Sequence, residues 1–231
     1  MVFPMYFDNT FILLIIGMVL CLVASARVKS TFAKFSRVKH HAGLTGRDAA
    51  EQILRSAGIH DVSIEHISGH LTDHYDPRSR TVRLSDATYR SSSVAAIGVA
   101  AHECGHALQH AEKYMPLQTR GALVPVVNIG SKLAWPLIFI GFFFTTNAST
   151  MLINAGILLF SGVILFQLVT LPVEYNASGR AMRILSDSGM MYPEELTGAR
   201  KVLNAAALTY LAAAAASILQ LIRILLIRGR R

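Results

Sequence analysis

Between residues 100 and 110 the chain reads "AAHECGHALQH". On an α-helix, positions i and i+4 share a face with Cβ atoms roughly 5–6 Å apart. His102 and His106 can therefore offer two imidazoles to one zinc ion. Glu103 is turned about 100° from His102. It cannot readily take the same coordination position, but it can reach a water on the metal. Zinc lowers the pKa of such a water, and a carboxylate can take its proton as it attacks a carbonyl. This is the H-E-x-x-H arrangement of zinc proteases. The plainer alternative is a surface helix whose histidines face water. The preceding run, "VAAIGVAA", is small and apolar, so the helix is expected to be buried, and buried histidines need partners.

A third ligand has to come from elsewhere. His110 lies eight residues beyond His102, about 12 Å along a helix, too far for one zinc with bonds near ~2.0–2.1 Å. It reads as solvent-facing or as support for the ligands. Cys104 points about 200° away from His102 on the helical wheel and reads as a small packing residue. The acids that follow the motif are Glu112, Glu174, Asp187, Glu194 and Glu195. Glu174 stands out, because it follows Leu171-Pro172 at the end of an apolar run. A carboxylate beside a membrane span is costly without a partner. Zinc is one partner; Arg180 or Arg183 is the alternative.

Around this motif, residues 40–112 form the polar part of the chain. "LTGRDAAEQILRSAGI" predicts an amphipathic helix capped by Thr45 and stopped at Gly58. "DVSIEHI" alternates as a strand does. Asp76-Pro77-Arg78-Ser79 predicts a turn leading into a strand at Thr81–Ser85. "SSSVAAIGVAAHECGHALQHAE" predicts one helix with a serine N-cap.

The rest is apolar. Of 231 residues, 52% are hydrophobic, too many for an ordinary soluble domain. The long runs are roughly 11–26, 124–146, 151–171 and 205–227. Arg27, Lys29, Lys34, Arg37 and Lys39 follow the first run, while no Lys or Arg precedes it. That favours an uncleaved anchor over a signal peptide cut after "ASA", with the following segment in the cytoplasm. The two middle runs, joined by the uncharged "NAST", read as a hairpin returning to the same side. The last run contains Arg223 and ends in "RGRR", which prefers the cytoplasm. It is expected to cross, to lie in the interface, or to pack on the other helices. A net charge of +8 without any nucleic-acid motif points to cytoplasmic loops and lipid headgroups, not to nucleic acid. Two cysteines, Cys21 and Cys104, make no disulfide pattern.

"YDPRSRTVRLS", "AAHECGHALQH" and "PVEYNASGRA", in this order and spacing, resemble the YugP-like zinc-dependent membrane peptidases, and more distantly the HtpX-like and CaaX-prenyl-protease gluzincins. The resemblance covers the chain from about Tyr6 to the last apolar run. It implies an α+β fold: a zincin-like (minigluzincin) core with a small β-sheet and an HExxH helix, among three to four transmembrane helices. It also implies one Zn²⁺ per chain on His102, His106 and Glu174, with Glu103 as general base. A cleft-lining edge strand, best matched by Thr81, Val82, Arg83 and Leu84, would pair with extended substrate; an interior strand is the alternative. Relatives more often carry Asp where this chain has Asn176, so that residue brings a hydrogen-bond acceptor without charge. Arg180, His70, His74 and Tyr75 are candidate donors to a transition-state oxyanion.

These readings divide the chain into an anchor at 6–26, a catalytic region at 27–123, a transmembrane hairpin at 124–171, a segment at 172–200 carrying the third ligand, and a hydrophobic helix with a basic tail at 201–231. The expected protein is a multi-pass cell-membrane zinc endopeptidase with its catalytic region on the cytoplasmic side, acting on membrane or membrane-proximal proteins or peptides. An intramembrane site-2-type protease would take an Asp from a later span, and no Asp occurs in those runs. An inactive metal-binding scaffold would have lost Glu103 or a ligand.

Overall fold

A computed structural model describes residues 8–144 and 146–230; the first residues of the expected anchor lie outside them. The chain is mostly helical with one small sheet. In chain order the elements are α1 (Phe11–Phe35), α2 (Gly46–Ser56), β1 (Ser63–Ile67), β2 (His74–Asp76), β3 (Thr81–Ser85), α3 (Val94–Ala111), α4 (Met115–Phe143), α5 (Asn147–Asp187) and α6 (Pro193–Gly229). They form two compact units. One comprises the chain up to Ala24 with Thr119–Leu171 and from Thr209 onward; the other comprises Ser25–Gln118 and Pro172–Leu208.

The first unit is built from parts of α1, α4, α5 and α6, the four helices long and apolar enough to cross a membrane. Small residues let these helices approach closely. A Cβ on Gly156 would lie 2.8 Å from the Ala134 carbonyl oxygen, and one on Gly141 2.8 Å from that of Ser149, so α4 and α5 pack as an antiparallel hairpin. "NAST" is not its loop. Asn147 already begins α5, and Ser149 is buried, capped through reciprocal bonds with Thr146. The last run also packs lengthwise. Gly17 meets Ala216, the Arg223 guanidinium lies 5.8 Å from the Phe11 ring centre, and Arg230 pairs with Asp8 at 2.8 Å. The α1 number rises as the α6 number falls, so the two helices are antiparallel. Large side chains such as Leu22, Val23, Val126, Met151 and Leu158 face outward, as expected where lipid replaces water.

The second unit is centred on α3. Ser93 caps it, accepting from the Ala96 N–H, and its residues are almost all buried. On one side lies α2, whose capping box joins Thr45 and Asp48 reciprocally. The sheet order is β1-β3-β2, with β1 and β3 parallel and β2 and β3 antiparallel. Thr81–Ser85 is therefore the middle strand. Its backbone is already paired with His74–Asp76 on one side and Ser63–Ile67 on the other, and Val82 and Leu84 are fully buried. The expectation that Thr81, Val82, Arg83 and Leu84 form an edge open to substrate is corrected: β1 and β2 are the edges. The three residues of β2 are too short and too polar to stand out as a strand in the sequence.

Contact between α3 and α5 sets the site. A Cβ at Gly105 would lie only 2.5 Å from the Ala177 carbonyl oxygen, so the two backbones touch between the histidines and the acid that faces them. Gly98 makes a similar approach to Ala199 on α6. We expect Gly105→Val to force α3 and α5 apart, costing about 1–3 kcal/mol of stability and lowering bound zinc by at least tenfold. Thermal unfolding and metal analysis of the purified protein would check this; unchanged metal content would show that the close approach is dispensable.

Candidate metal centre

Residues from α3 and α5 converge in the second unit. His102 Nε2 and His106 Nε2 face Glu174 Oε2 at 3.3 and 3.6 Å, and the donor atoms of the three residues all lie within 4.8 Å of one another. Four ligands held tetrahedrally at about 2.0–2.1 Å stand roughly 3.3–3.4 Å apart. The observed separations match that edge and are longer than a charge-assisted hydrogen bond of about 2.7–2.9 Å. Two imidazole nitrogens and one carboxylate oxygen are also the donor types zinc takes. Glu174 is 2% exposed. Pro172 does not end the helix that carries it: α5 runs unbroken from Asn147 to Asp187.

The other ring nitrogens are occupied. His102 Nδ1 lies 3.1 Å from Ser178 Oγ, and His106 Nδ1 3.0 Å from Gln109 Oε1. An amide oxygen only accepts, so His106 carries its proton on Nδ1 and its Nε2 lone pair is free toward Glu174. Gln109, fully buried, spends its amide protons on the Val173 carbonyl at 2.8 Å and on Asn176 Oδ1 at 2.9 Å. Asn176 Oδ1 also accepts from Arg180 Nε at 2.7 Å. Arg180 reaches on to Glu112 at 2.6 Å and lies over the Tyr114 ring. Asn176 and Arg180 thus brace His106 through Gln109, and only an acceptor oxygen is required at position 176, which Asn supplies as well as Asp. Gln109 and Ser178 were not singled out in the sequence. Their signal was spacing: Gln109 follows His106 by three residues, and Ser178 follows Glu174 by four, on the same helix face.

Glu103 is buried, 7% exposed, and its carboxylate makes no hydrogen bond among the described residues. Burial pushes its pKa up; the His102 and His106 rings pull it down, while Asp73 and Glu174 push it up again. Burial disfavours a charged His106, but Glu174 and Glu103 outweigh it and hold its pKa above the ordinary imidazole value. The pocket therefore favours positive charge between the imidazoles and the carboxylates. Burial raises the Cys104 thiol, which points to the Ala50 carbonyl at 3.7 Å and away from the ligands. His110 bonds Tyr75 Oη through Nδ1 at 2.7 Å. His74 bonds the Thr72 carbonyl, and His70 lies edge-on to Phe32. None of Arg180, His70, His74 and Tyr75 makes a hydrogen bond or ion pair with His102, Glu103, His106 or Glu174.

A second cluster, His40, His41 and Glu195, also brings possible ligands together. Its donors are committed elsewhere. His40 Nε2 bonds the Met190 carbonyl at 2.6 Å, and its Nδ1 receives the Ala42 N–H. Glu195 accepts from the His41 ring and backbone and from the Tyr192 N–H at the start of α6. This cluster ties the segment before α2 to the N-terminus of α6.

Comparison with known proteins agrees with this geometry. The chain is 48% identical over 204 residues to the "Putative membrane protease YugP" of Bacillus subtilis (strain 168), covering 88% of this chain and 89% of that protein. No solved structure matches the chain. With four apolar helices, the likeness indicates association with a membrane. The pattern of one peptidase family matches residues 10–229, nearly the whole chain, and the protein belongs to that family, described as "Putative neutral zinc metallopeptidase".

Proposed function

We propose that this protein is a membrane-bound zinc endopeptidase in which His102, His106 and Glu174 hold one zinc ion and Glu103 is the general base. The observation that carries the reading is the meeting of His102 Nε2, His106 Nε2 and Glu174 Oε2 at zinc-ligand spacing, from helices about seventy residues apart in the chain. A zinc ion at this position supplies a Lewis acid that acidifies water and polarises a peptide carbonyl. Glu103, held buried one residue from His102, accepts the proton of the attacking water and returns it to the leaving amine. Ser178 and Gln109 fix the two ring orientations, and Asn176 and Arg180 hold Gln109. Such support commonly matters ten- to a hundredfold in metal affinity. The surrounding zincin-like core runs from Arg27 to Leu123 with the segment at 172–200, and the anchor, the hairpin and the last helix hold it at the membrane.

The substrate reading follows from the chain path. Glu174 lies three residues beyond Leu171, the end of an apolar run on the same continuous helix, about 4.5 Å along its axis. That favours membrane or membrane-proximal proteins as substrates. The free edge of β2, whose strand packs on α3, is the edge an extended peptide can extend. The basic residues that follow the first run favour a cytoplasmic active site.

Three outcomes are expected. His102→Ala and Glu174→Ala lose most of about one equivalent of zinc, and Gln109→Ala binds zinc ten- to a hundredfold more weakly; full occupancy at wild-type affinity in Glu174→Ala would remove Glu174 from the ligand set. Glu103→Gln keeps its metal but cleaves casein or a model peptide at least a hundredfold more slowly, and cleavage at the wild-type rate would exclude the mechanism. In a background lacking Cys21 and Cys104, a cysteine at the exposed Gln52 resists an impermeant thiol reagent in intact cells, while one at the exposed Ala148 reacts. The reverse pattern would put the catalytic region outside.

A further inference from the structure

Behind the metal ligands, one stripe of α5 and one stripe of α6 enclose a groove of about 430 Å³. From α5 it is lined at 175, 178, 179, 182, 183 and 186, a helical i, i+3, i+4, i+7 series; from α6 at Arg200, Leu203 and Asn204. Its polar side carries Ser178, Arg183, Ser186, Arg200 and Asn204. Neither Arg183 nor Arg200 makes a hydrogen bond or ion pair among the described residues, and a single carboxylate, Asp187, faces them. Its apolar side is Tyr175, Met182 and Leu203. Gly179 lines the groove at an exposed position, where a Cβ would meet nothing within 4 Å. Ser178 Oγ lies 3.1 Å from His102 Nδ1; with Nε2 turned to a metal the ring donates from Nδ1, and the Ser178 hydroxyl hydrogen is left to donate.

Two guanidiniums, two hydroxyls and an amide along one groove form a donor-rich, positively charged concavity, which is what a phosphate oxygen cluster requires. Its position along the chain selects the source of the phosphate. Tyr175 and Ser178 lie four and seven residues past the end of the apolar run of α5, about 6–10 Å along the helix, and Asn204 directly precedes the apolar run of α6. The headgroup layer on each face of a bilayer is roughly 5–8 Å deep. Arg200 lies five residues before the apolar run of α6, about 7.5 Å, and Arg183 twelve residues past that of α5, about 18 Å, where its long side chain leans back toward the helix N-terminus and the apolar run.

We propose that this groove binds the headgroup of an anionic phospholipid, with the phosphate between Arg183 and Arg200, Ser178 and Asn204 donating to it, and the glycerol end against Tyr175, Met182 and Leu203. The lipid then touches the residue that orients His102, so the same contact that seats the protein on an anionic membrane bears on the metal site. The site stands apart from the peptidase reading and is measurable without catalysis.

The test titrates the purified full-length protein, in neutral detergent, with dioctanoyl phosphatidylglycerol, dioctanoyl phosphatidylcholine and inorganic phosphate, reading binding by thermophoresis. Phosphatidylglycerol should bind at least tenfold more tightly than either of the others. Arg183→Gln with Arg200→Gln should weaken it at least tenfold. Gly179→Leu should do the same with no change of charge, because it adds a large side chain to the groove lining while replacing glycine with a better helix former. Arg78→Gln with Arg90→Gln, an equal charge loss at exposed residues outside the groove, should leave binding within twofold. Circular dichroism confirms that each variant is folded, and the arginine variants, being at the surface, read the site even where Gly179→Leu does not fold. Equal binding of the two lipids, or an equal loss in Arg78→Gln with Arg90→Gln and in Arg183→Gln with Arg200→Gln, or unchanged binding in the latter, would overturn the proposal. Inorganic phosphate binding as tightly as the lipid would make this a free-phosphate site and overturn the lipid assignment.

Discussion

The backbone contact between Gly105 and Ala177 is the constraint on which the metal centre rests. His102 and His106 belong to α3 and Glu174 to α5, and a carboxylate reaches two imidazoles on a neighbouring helix only if the helix axes come close. A Cβ at 105 would sit 2.5 Å from the Ala177 carbonyl oxygen, well inside contact distance. Glycine at the fourth position of the H-E-x-x-H turn is therefore part of the candidate site's construction. Ala101 and Ala107 on α3 and Ala181 on α5 extend the same small-residue packing.

Once the helices meet, polar groups rather than apolar packing fix the side chains. Each histidine is held at both ring nitrogens, one toward Glu174 and one toward Ser178 or Gln109. The Gln109–Asn176–Arg180–Glu112 chain runs from the buried ring outward to an exposed ion pair. Both Gln109 amide protons and the side-chain oxygens of Gln109 and Asn176 have partners. That matters because an unsatisfied polar atom in such an interior costs about 1–3 kcal/mol. Glu103 is the exception, buried without a hydrogen bond, and its raised pKa is the consequence.

The helices serve two purposes because of their length. At 1.5 Å per residue the 41 residues of α5 extend roughly 60 Å, about twice the ~30 Å hydrocarbon layer. The apolar half lies in one unit and the half bearing Glu174 in the other. A proline at 172 removes one backbone hydrogen bond near this change without ending the helix. In the first unit, α6 lies antiparallel to α1, and Arg230 is paired with Asp8. A tail whose arginines read as cytoplasmic by charge alone has a local acidic partner.

Much of the site was legible in the sequence because helical periodicity is local. His102, Glu103 and His106 are positioned by one turn of one helix. The Thr45 and serine caps, the strands at 63–67 and 81–85 and the four apolar runs follow from short-range patterns of the same kind. Glu174 could be selected as the acid at the end of an apolar run, but its meeting with the histidines is a long-range contact that periodicity does not encode. Tertiary structure alone decided that β3 lies between β1 and β2, because strand order depends on hydrogen bonds between distant segments and β2 has only three polar residues. It alone decided that α6 packs along α1 with Arg230 beside Asp8, a pairing between opposite ends of the chain that local charge does not encode. It also set Ser178 and Gln109 against the histidine rings and Asn176 behind Gln109. A hydrogen bond depends on a few tenths of an ångström between helices, and residue spacing within one helix carries no information on the distance to the next.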